Sequence, residues 1–157
     1  VLRLIGTGSR HATEAEHLDV ISRRLHPFAR RGTGVYAHGD APGFDRISAR
    51  LFAAWGWQIH PIPADWDTCA PELAYELGGC PARRHRRTRP DGTTFCPRAG
   101  NRRNQVLADL APRADLAVGF PAIGSAGRSG TWDALARFVD AGIDIDGVYP
   151  LAVTRRG

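Results

Sequence analysis

The sequence predicts an α/β fold in which a mainly parallel sheet of about five strands is flanked by helices. Two observations carry the prediction. Short apolar runs alternate with helix-length amphipathic stretches, the pattern of right-handed β-α-β units. Three glycine-rich turns each lie between such a run and a helical pattern, and open α/β sheets place their ligands at those strand ends. A chain of 157 residues fits one domain, with no internal repeat and one irregular insertion at about 64–99.

Leu2–Gly6 is a continuous apolar run and the first strand. Thr13-Glu14-Ala15-Glu16 forms a capping box, with Thr13 as N-cap and Glu16 three residues on. Leu18, Ile21, Leu25 and Phe28 follow at helical spacing, and Arg30-Arg31-Gly32 supplies a basic last turn and a stop. Val35–His38 is the second strand. Asp40 or Ala41-Pro42 opens the next helix, whose buried face is Ile47, Leu51, Ala54 and Trp55 and whose end is Gly56. Trp57–Ile62 is the third strand, closed by Pro61 and Pro63. Gly100–Leu110 returns to helix with Val106, Leu107 and Leu110 inward, and Leu116–Phe120 is a fourth, buried strand. The turn Gly127-Arg128-Ser129-Gly130-Thr131 then precedes a helix with Trp132, Leu135, Ala136 and Val139 on its apolar face, stopped by Gly142. Val148–Val153 is the fifth strand.

The insertion, Ala64–Ala99, loses periodicity apart from a turn of helix at Pro71–Leu77. It holds all three cysteines and the run Arg83-Arg84-His85-Arg86-Arg87-Thr88-Arg89. A stretch this long needs something other than a core to hold it. Cys69, Cys80, His85 and Cys96 make a Cys₃His set suited to a structural zinc, the alternative being three unlinked thiols and a surface histidine. His60 is a substitute ligand. An odd cysteine count argues against a disulfide framework.

All 21 basic side chains are arginine, and the net charge is +5. Arginine grips phosphate bidentately, so this balance fits nucleotides or nucleic acid. No apolar stretch approaches the ~18 residues of a membrane-spanning helix. The opening Val1–Ile5 is too short for a signal peptide and reads as strand, which makes the cytoplasm the expected location.

The three glycine turns carry the chemistry. Gly6-Thr7-Gly8-Ser9-Arg10 offers close backbone approach, a hydroxyl and a guanidinium. His38-Gly39-Asp40 with Asp45 adds carboxylates that either cap a helix or accept from ribose hydroxyls. Ser125, Ser129 and Thr131 each serve as cap or phosphate ligand, beside free N–H groups at a helix N-terminus. Gly100-Asn101-Arg102-Arg103-Asn104 places cations at another helix N-terminus, which is unfavourable unless an anion sits there too. Gly8, Ser9, Arg10, Gly39, Asp40, Arg103, Asn104, Ser129, Gly130 and Thr131 are therefore expected to meet around one phosphate-bearing ligand.

Gly8-Ser9-Arg10, His38-Gly39-Asp40-Ala41-x-Gly43-x-Asp45, Pro63-Ala64-Asp65-Trp66, Gly100-x-Arg102-Arg103-Asn104 and Ser129-Gly130-Thr131 occur in register from Leu2 to about Ala152. This combination resembles the SLOG superfamily, and within it the YspA-related branch common in actinobacteria and their phages. The resemblance implies a Rossmann-like sheet whose glycine-rich pocket binds nucleotides or nucleotide-derived ligands, with the whole of 1–157 as one such domain. More distant relatives, the cytokinin-activating phosphoribohydrolases, cleave the N-glycosidic bond of a nucleoside monophosphate. Their signature is Pro-Gly-Gly-x-Gly-Thr-x-x-Glu. Gly130-Thr131 and Arg103 match it, but the glutamate position is Ala134, and a one-residue shift to Asp133 turns the side chain by about 100°.

Two functions remain open. One is a ligand sensor or sequestering module, which Ala134 favours. The other is an N-glycosidic phosphoribohydrolase in which Arg103 holds the 5′-phosphate and Asp133, Asp45 or Asp40 stabilises an oxocarbenium-like state or positions water. Nucleic-acid binding is a lesser alternative: a superfamily relative loads single-stranded DNA, but no aromatic residue interleaves with the arginine run. The resemblance also implies a homodimer. The pocket itself calls for no cofactor and no membrane.

Overall fold

The computed structural model describes residues 1–126 and 129–154. Gly127 and Arg128 of the third glycine turn lie outside that set. Five parallel strands form the sheet: β1 (Leu2–Gly8), β2 (Gly34–His38), β3 (Gln58–Pro61), β6 (Leu116–Phe120) and β7 (Asp144–Val148), in the order β3-β2-β1-β6-β7. The order reverses at β1, which pairs with β2 through Leu4↔Tyr36 and with β6 through Gly6↔Val118. Such a reversal opens a crevice beyond the strand ends.

Alternation along the strands sorts the core into two layers. Leu4, Tyr36, Val118 and Phe120 face α1 (Glu14–Ala29) and α2 (Phe44–Ala54), packing on Ile21, Leu25, Phe28 and Phe52. Ile5, Ala37 and Ala117 face α3 (Ala99–Ala108) and α4 (Gly130–Asp140), packing on Leu107, Ala134, Leu135 and Phe138. Among the described residues no helix is long and apolar enough to cross a membrane.

The Thr13 cap forms as expected, its side chain accepting from Glu16 N at 3.3 Å. Several expected positions shift. In α1, His17 is buried in place of Leu18, because its ring links Thr13 N (2.9 Å) to the Ala152 carbonyl (2.6 Å). The second helix starts at Phe44 rather than at Asp40–Pro42, since Gly43 turns the chain at φ +78°. Its inward face is Phe44, Ile47 and Phe52, with Leu51 only partly buried and Ala54 exposed. Val106 of α3 and Val139 of α4 are 48% and 60% exposed; Leu107 is inside as expected, and Phe138 takes the place of Val139. The last strand runs over Asp144–Val148 instead of Val148–Val153, where only Leu151 bridges, to Ala122.

The insertion after β3 contains a short 3-10 turn at Tyr75–Leu77 and a two-stranded hairpin, β4 (Arg87–Thr88) with β5 (Thr94–Phe95). Arginines at its end and on α3 and α4 fasten it. Arg98 Nε donates to the Gly79 carbonyl (3.2 Å), Arg102 Nη1 to that of Gly78 (3.0 Å) and Arg137 Nη1 to that of Glu76 (2.6 Å).

Candidate functional site

The carboxyl ends of β1 and β2, the segment after β6 and the first turns of α3 and α4 enclose a cavity of about 940 Å³. That is the size of a small-molecule site. Gly8, Ser9 and Arg10 line it after β1, Gly39, Asp40 and Asp45 around the β2–α2 turn, and Arg103 and Asn104 from α3. Ser129, Gly130, Thr131 and Asp133 line it from α4. Turns far apart in sequence are thus brought to one space.

The first turn is held by its backbone. Ser9 N donates to the Phe120 carbonyl (2.9 Å), the Ser9 carbonyl accepts from Phe44 N (3.0 Å), and Ser9 Oγ accepts from His11 N (3.1 Å). A side chain at Gly8 would strike the Phe44 ring, so that glycine serves packing as well as the cavity. Arg10 stands exposed at the rim.

At the end of β2 the buried His38 ring accepts at Nδ1 from Asp40 N (2.9 Å), which places its proton on Nε2. Burial lowers its pKa, so the ring is neutral. Asp40 is the one non-glycine residue at positive φ (52°) among the described residues, and aspartate tolerates that region. Its contact to Arg46, 3.9 Å apart on the surface, contributes little.

Asp45 is only 4% exposed. Its Oδ2 accepts from Gly39 N (3.1 Å) and Ala41 N (3.2 Å), while Oδ1 is buried with no partner among the described residues. Burial pushes the carboxyl up from 3.8 to about 6, against the pull of the Ala41 N–H, the Arg103 charge and the Gly39 N–H. A buried acceptor without a donor is costly. Asp45 therefore carries an unmet acceptor inside the cavity wall, and the carboxyl is held there in tension between burial and its two backbone donors.

Arg103 crosses the cavity wall. Its Nη1 donates to the Gly39 carbonyl and its Nε to Asn104 Oδ1 (2.9 Å), and Nη2 has no acceptor among the described residues. Burial lowers the guanidinium pKa, opposed by the charges of Asp45, Asp40 and Asp133. A Cβ at Gly39 would fall 2.3 Å from Arg103 Nη1, so this close approach needs glycine. Asn104, also buried, donates to the Gly130 carbonyl (3.1 Å) and to Asp133 Oδ2 (2.9 Å), tying α3 to the first turn of α4. There Ser129 caps the helix, accepting from Trp132 N at 3.4 Å. Helix geometry leaves the Gly130 and Thr131 N–H groups as anion donors.

Asp133 lines the cavity, but both its oxygens are engaged. Oδ2 accepts from Arg137 Nε (3.0 Å) and Asn104, and Oδ1 from Arg137 Nη2 (3.3 Å). Ala134 is buried in the core between α4 and the sheet, away from the cavity lining. Trp66, which sequence reasoning quoted in a motif without assigning it to the site, also lines the cavity with Pro63, Ala64 and Pro97. Its signal was its place just beyond the carboxyl end of β3.

A second cluster lies in the insertion. One ligand atom from each of Cys69, Cys80, His85 and Cys96 falls within 4.8 Å of all the others, so the four could hold a metal ion. His60, on β3 opposite Ala37, is not among them. Cys80 Sγ and Cys96 Sγ are 3.4 Å apart, and His85 Nε2 lies 3.4 Å from Cys69 Sγ and 3.7 Å from Cys96 Sγ. Around a tetrahedral zinc with ordinary bond lengths, neighbouring ligand atoms lie about 3.6 to 3.8 Å apart. His85 Nδ1 donates to the Arg83 carbonyl (3.2 Å), leaving Nε2 free to ligate.

Donors surround the sulfurs. Ala70 N reaches Cys80 Sγ at 3.3 Å, Arg86 Nη1 reaches Cys69 Sγ at 3.4 Å, and Arg102 Nη1 lies 3.3 Å from Cys80 Sγ and 3.7 Å from Cys96 Sγ. Although burial pushes the Cys96 thiol up, bonds from His85, Arg102 and Cys80 outweigh it and bring it to about 6. Adjacent arginines on α3 thus face different sites, Arg103 the cavity and Arg102 the thiols.

No family model matches the chain, and no curated protein matches its sequence. Among solved structures, DNA processing protein A (DprA) from Streptococcus pneumoniae superimposes with a TM-score of 0.60 at 14% identity. The match covers 93% of this chain and 50% of that one, so the chain spans about half the length of DprA. A short-chain dehydrogenase from Sphingobium yanoikuyae in complex with NADPH aligns with a TM-score of 0.32 at 19% identity, over 98% of this chain and 72% of that one. That superposition is too loose to carry an argument. The likeness to DprA is one of fold alone: a Rossmann-like α/β sheet.

Proposed function

We propose that the cavity binds a phosphorylated nucleoside or nucleotide-derived small molecule and holds it without turnover, as a sensor or sequestering module of a YspA-related kind. The observation that carries this reading is the convergence of the Arg103 guanidinium, with Nη2 unused among the described residues, and the Ser129-capped start of α4 on one cavity. Both features favour an anion. Asp45 and Asp40 supply acceptors for sugar hydroxyls beside that anion site. Holding without turnover is supported by Asp133, whose oxygens are engaged by Arg137 and Asn104, and by Ala134, which sits in the core.

A second reading, an N-glycosidic phosphoribohydrolase, rests on Asp45. Its place in the cavity lining and raised pKa would suit a carboxyl that positions water or stabilises an oxocarbenium-like centre. Incubation with the four nucleoside 5′-monophosphates separates the two. Binding detected by calorimetry, with no free base released, supports the sensor. Stoichiometric release of base and ribose 5-phosphate supports the hydrolase, and neither binding nor release refutes both.

The neighbour DprA is named for DNA processing, but the arginine run here supports a nucleic-acid role poorly. Arg86 donates to Thr94 Oγ1 (3.1 Å) and the Asp67 carbonyl (3.0 Å), and Arg89 to Thr93 Oγ1 (3.3 Å) and the Thr94 carbonyl (3.3 Å). These two side chains bind the hairpin together, while Arg83, Arg84 and Arg87 of the run are exposed. For the Cys₃His cluster we propose zinc, held by Cys69, Cys80, His85 and Cys96 in a closed structural role that supplies folding energy to a segment without its own core.

A further inference from the structure

The cavity has two unlike walls. One, built from the ends of β1 and β2 and the start of α4, is polar and charged. The other comes from the two ends of the insertion, Pro63, Ala64, Trp66 and Pro97, and from Gly100, with Asn101, Arg103 and Asn104 of α3 bordering it. Within that apolar wall Trp66 is the one aromatic side chain.

Its position is built in several ways. The Trp66 carbonyl accepts from Cys96 N at 2.8 Å, which ties its backbone to the thiol cluster, and its side chain packs against the cluster of Cys80, Cys96 and Ala99. Its ring meets Phe95 edge to face, with centroids 6.1 Å apart. Its far edge lies over Gly100, where an added Cβ would stand 3.2 Å from Cη2. Gly100 and Arg103 are three residues apart on α3, hence on one helix face and about 4.5 Å apart along its axis. The same helix face therefore seats an aromatic plane and a guanidinium at neighbouring levels, both lining the cavity.

We infer that Trp66 is the stacking wall for the planar base of the ligand. The cavity then selects a base-bearing sugar phosphate over the sugar phosphate alone, and the insertion carries that selectivity. This rests on the reading that the cavity takes a phosphorylated nucleoside, and the test keeps the two apart. An aromatic side chain stacks on any base, so Trp66 supplies preference for a ring system without choosing which base.

The test is calorimetric titration of the full chain with AMP, GMP, CMP and UMP, and with ribose 5-phosphate as the base-less probe. At least one nucleotide is expected to bind about 5- to 150-fold tighter than ribose 5-phosphate, the range of a single base–aromatic stack. Trp66→Leu is expected to abolish that gap while leaving ribose 5-phosphate affinity within about threefold, and Trp66→Phe to keep most of it. Equal binding of all five probes overturns the role of Trp66 but leaves the phosphate reading intact. Binding of none overturns both. Should Trp66→Leu fail to fold, quenching of indole emission in the unaltered protein decides. Quenching by the nucleotide, absent with ribose 5-phosphate and lost in Trp66→Phe, supports the stack, and its absence refutes it.

Discussion

Replacing Asp45 by asparagine should make the protein more stable at neutral pH, and only there. The carboxyl rises from 3.8 to about 6 on folding, so the folded state holds its proton over a range where the unfolded chain releases it. Stability from this group is fully present below 3.8 and is lost as the pH rises to about 6. At about 1.4 kcal/mol for each pH unit, the loss above pH 6 is about 3 kcal/mol. Asparagine carries no charge to desolvate, and its carbonyl can still accept from Gly39 N and Ala41 N. The variant should therefore match the parent near pH 4 and exceed it by up to about 3 kcal/mol at pH 7, or roughly 6 to 12 °C in Tm. Urea denaturation at half-unit steps from pH 4 to pH 8 measures the gap. A constant difference across that range, or a parent that is the more stable at pH 7, would refute the reasoning.

Other perturbations probe the remaining parts of the site. Gly39→Ala should drive Arg103 from its seat and weaken inorganic phosphate or ribose 5-phosphate binding about tenfold or more, with far-UV circular dichroism unchanged. Asp133→Ala removes the acceptor shared by Arg137 and Asn104. It should cost about 1 to 3 kcal/mol in denaturant titrations, chiefly by loosening α4 from α3. Purified protein should contain one zinc per chain by atomic emission, and cobalt in its place should show thiolate charge-transfer absorption. His85→Ala should lower the metal content, and zinc well below one equivalent in the parent would remove the metal assignment. Because Cys96 N holds the Trp66 carbonyl, chelation should shift Trp66 emission even while the sheet stays folded.

What could be read from the chain alone was whatever depends on neighbouring residues. The Thr13 cap, the glycine turns and the apolar strands are local chemistry, and all three turns end at one cavity because parallel strands share an end. Helix faces were harder. Leu18 for His17, Leu51 for Phe52 and Val139 for Phe138 are each displaced by one residue, about 100° of rotation. In each pair both choices lie within a broad apolar stripe, except His17, whose partner Ala152 is 135 residues away. The edge strand Asp144–Val148 was missed because its alternate residues face solvent, which leaves no apolar run to mark it. The thiol set stood out because Ala64–Ala99 carries no apolar periodicity, whereas the arginines that fasten the insertion gave no such signal. Arg102 did not stand out, since from the sequence it is indistinguishable from Arg103 beside it.

The wall that carries Trp66 hangs between β3 and α3 and is not rooted in the sheet. A graft at those two junctions could therefore exchange what the molecule reads while its grip on the charged end stays put. On the proposed reading recognition would be modular: the sheet ends and the starts of α3 and α4 would hold the anion, and the appendage would add the demand for a planar ring beside it.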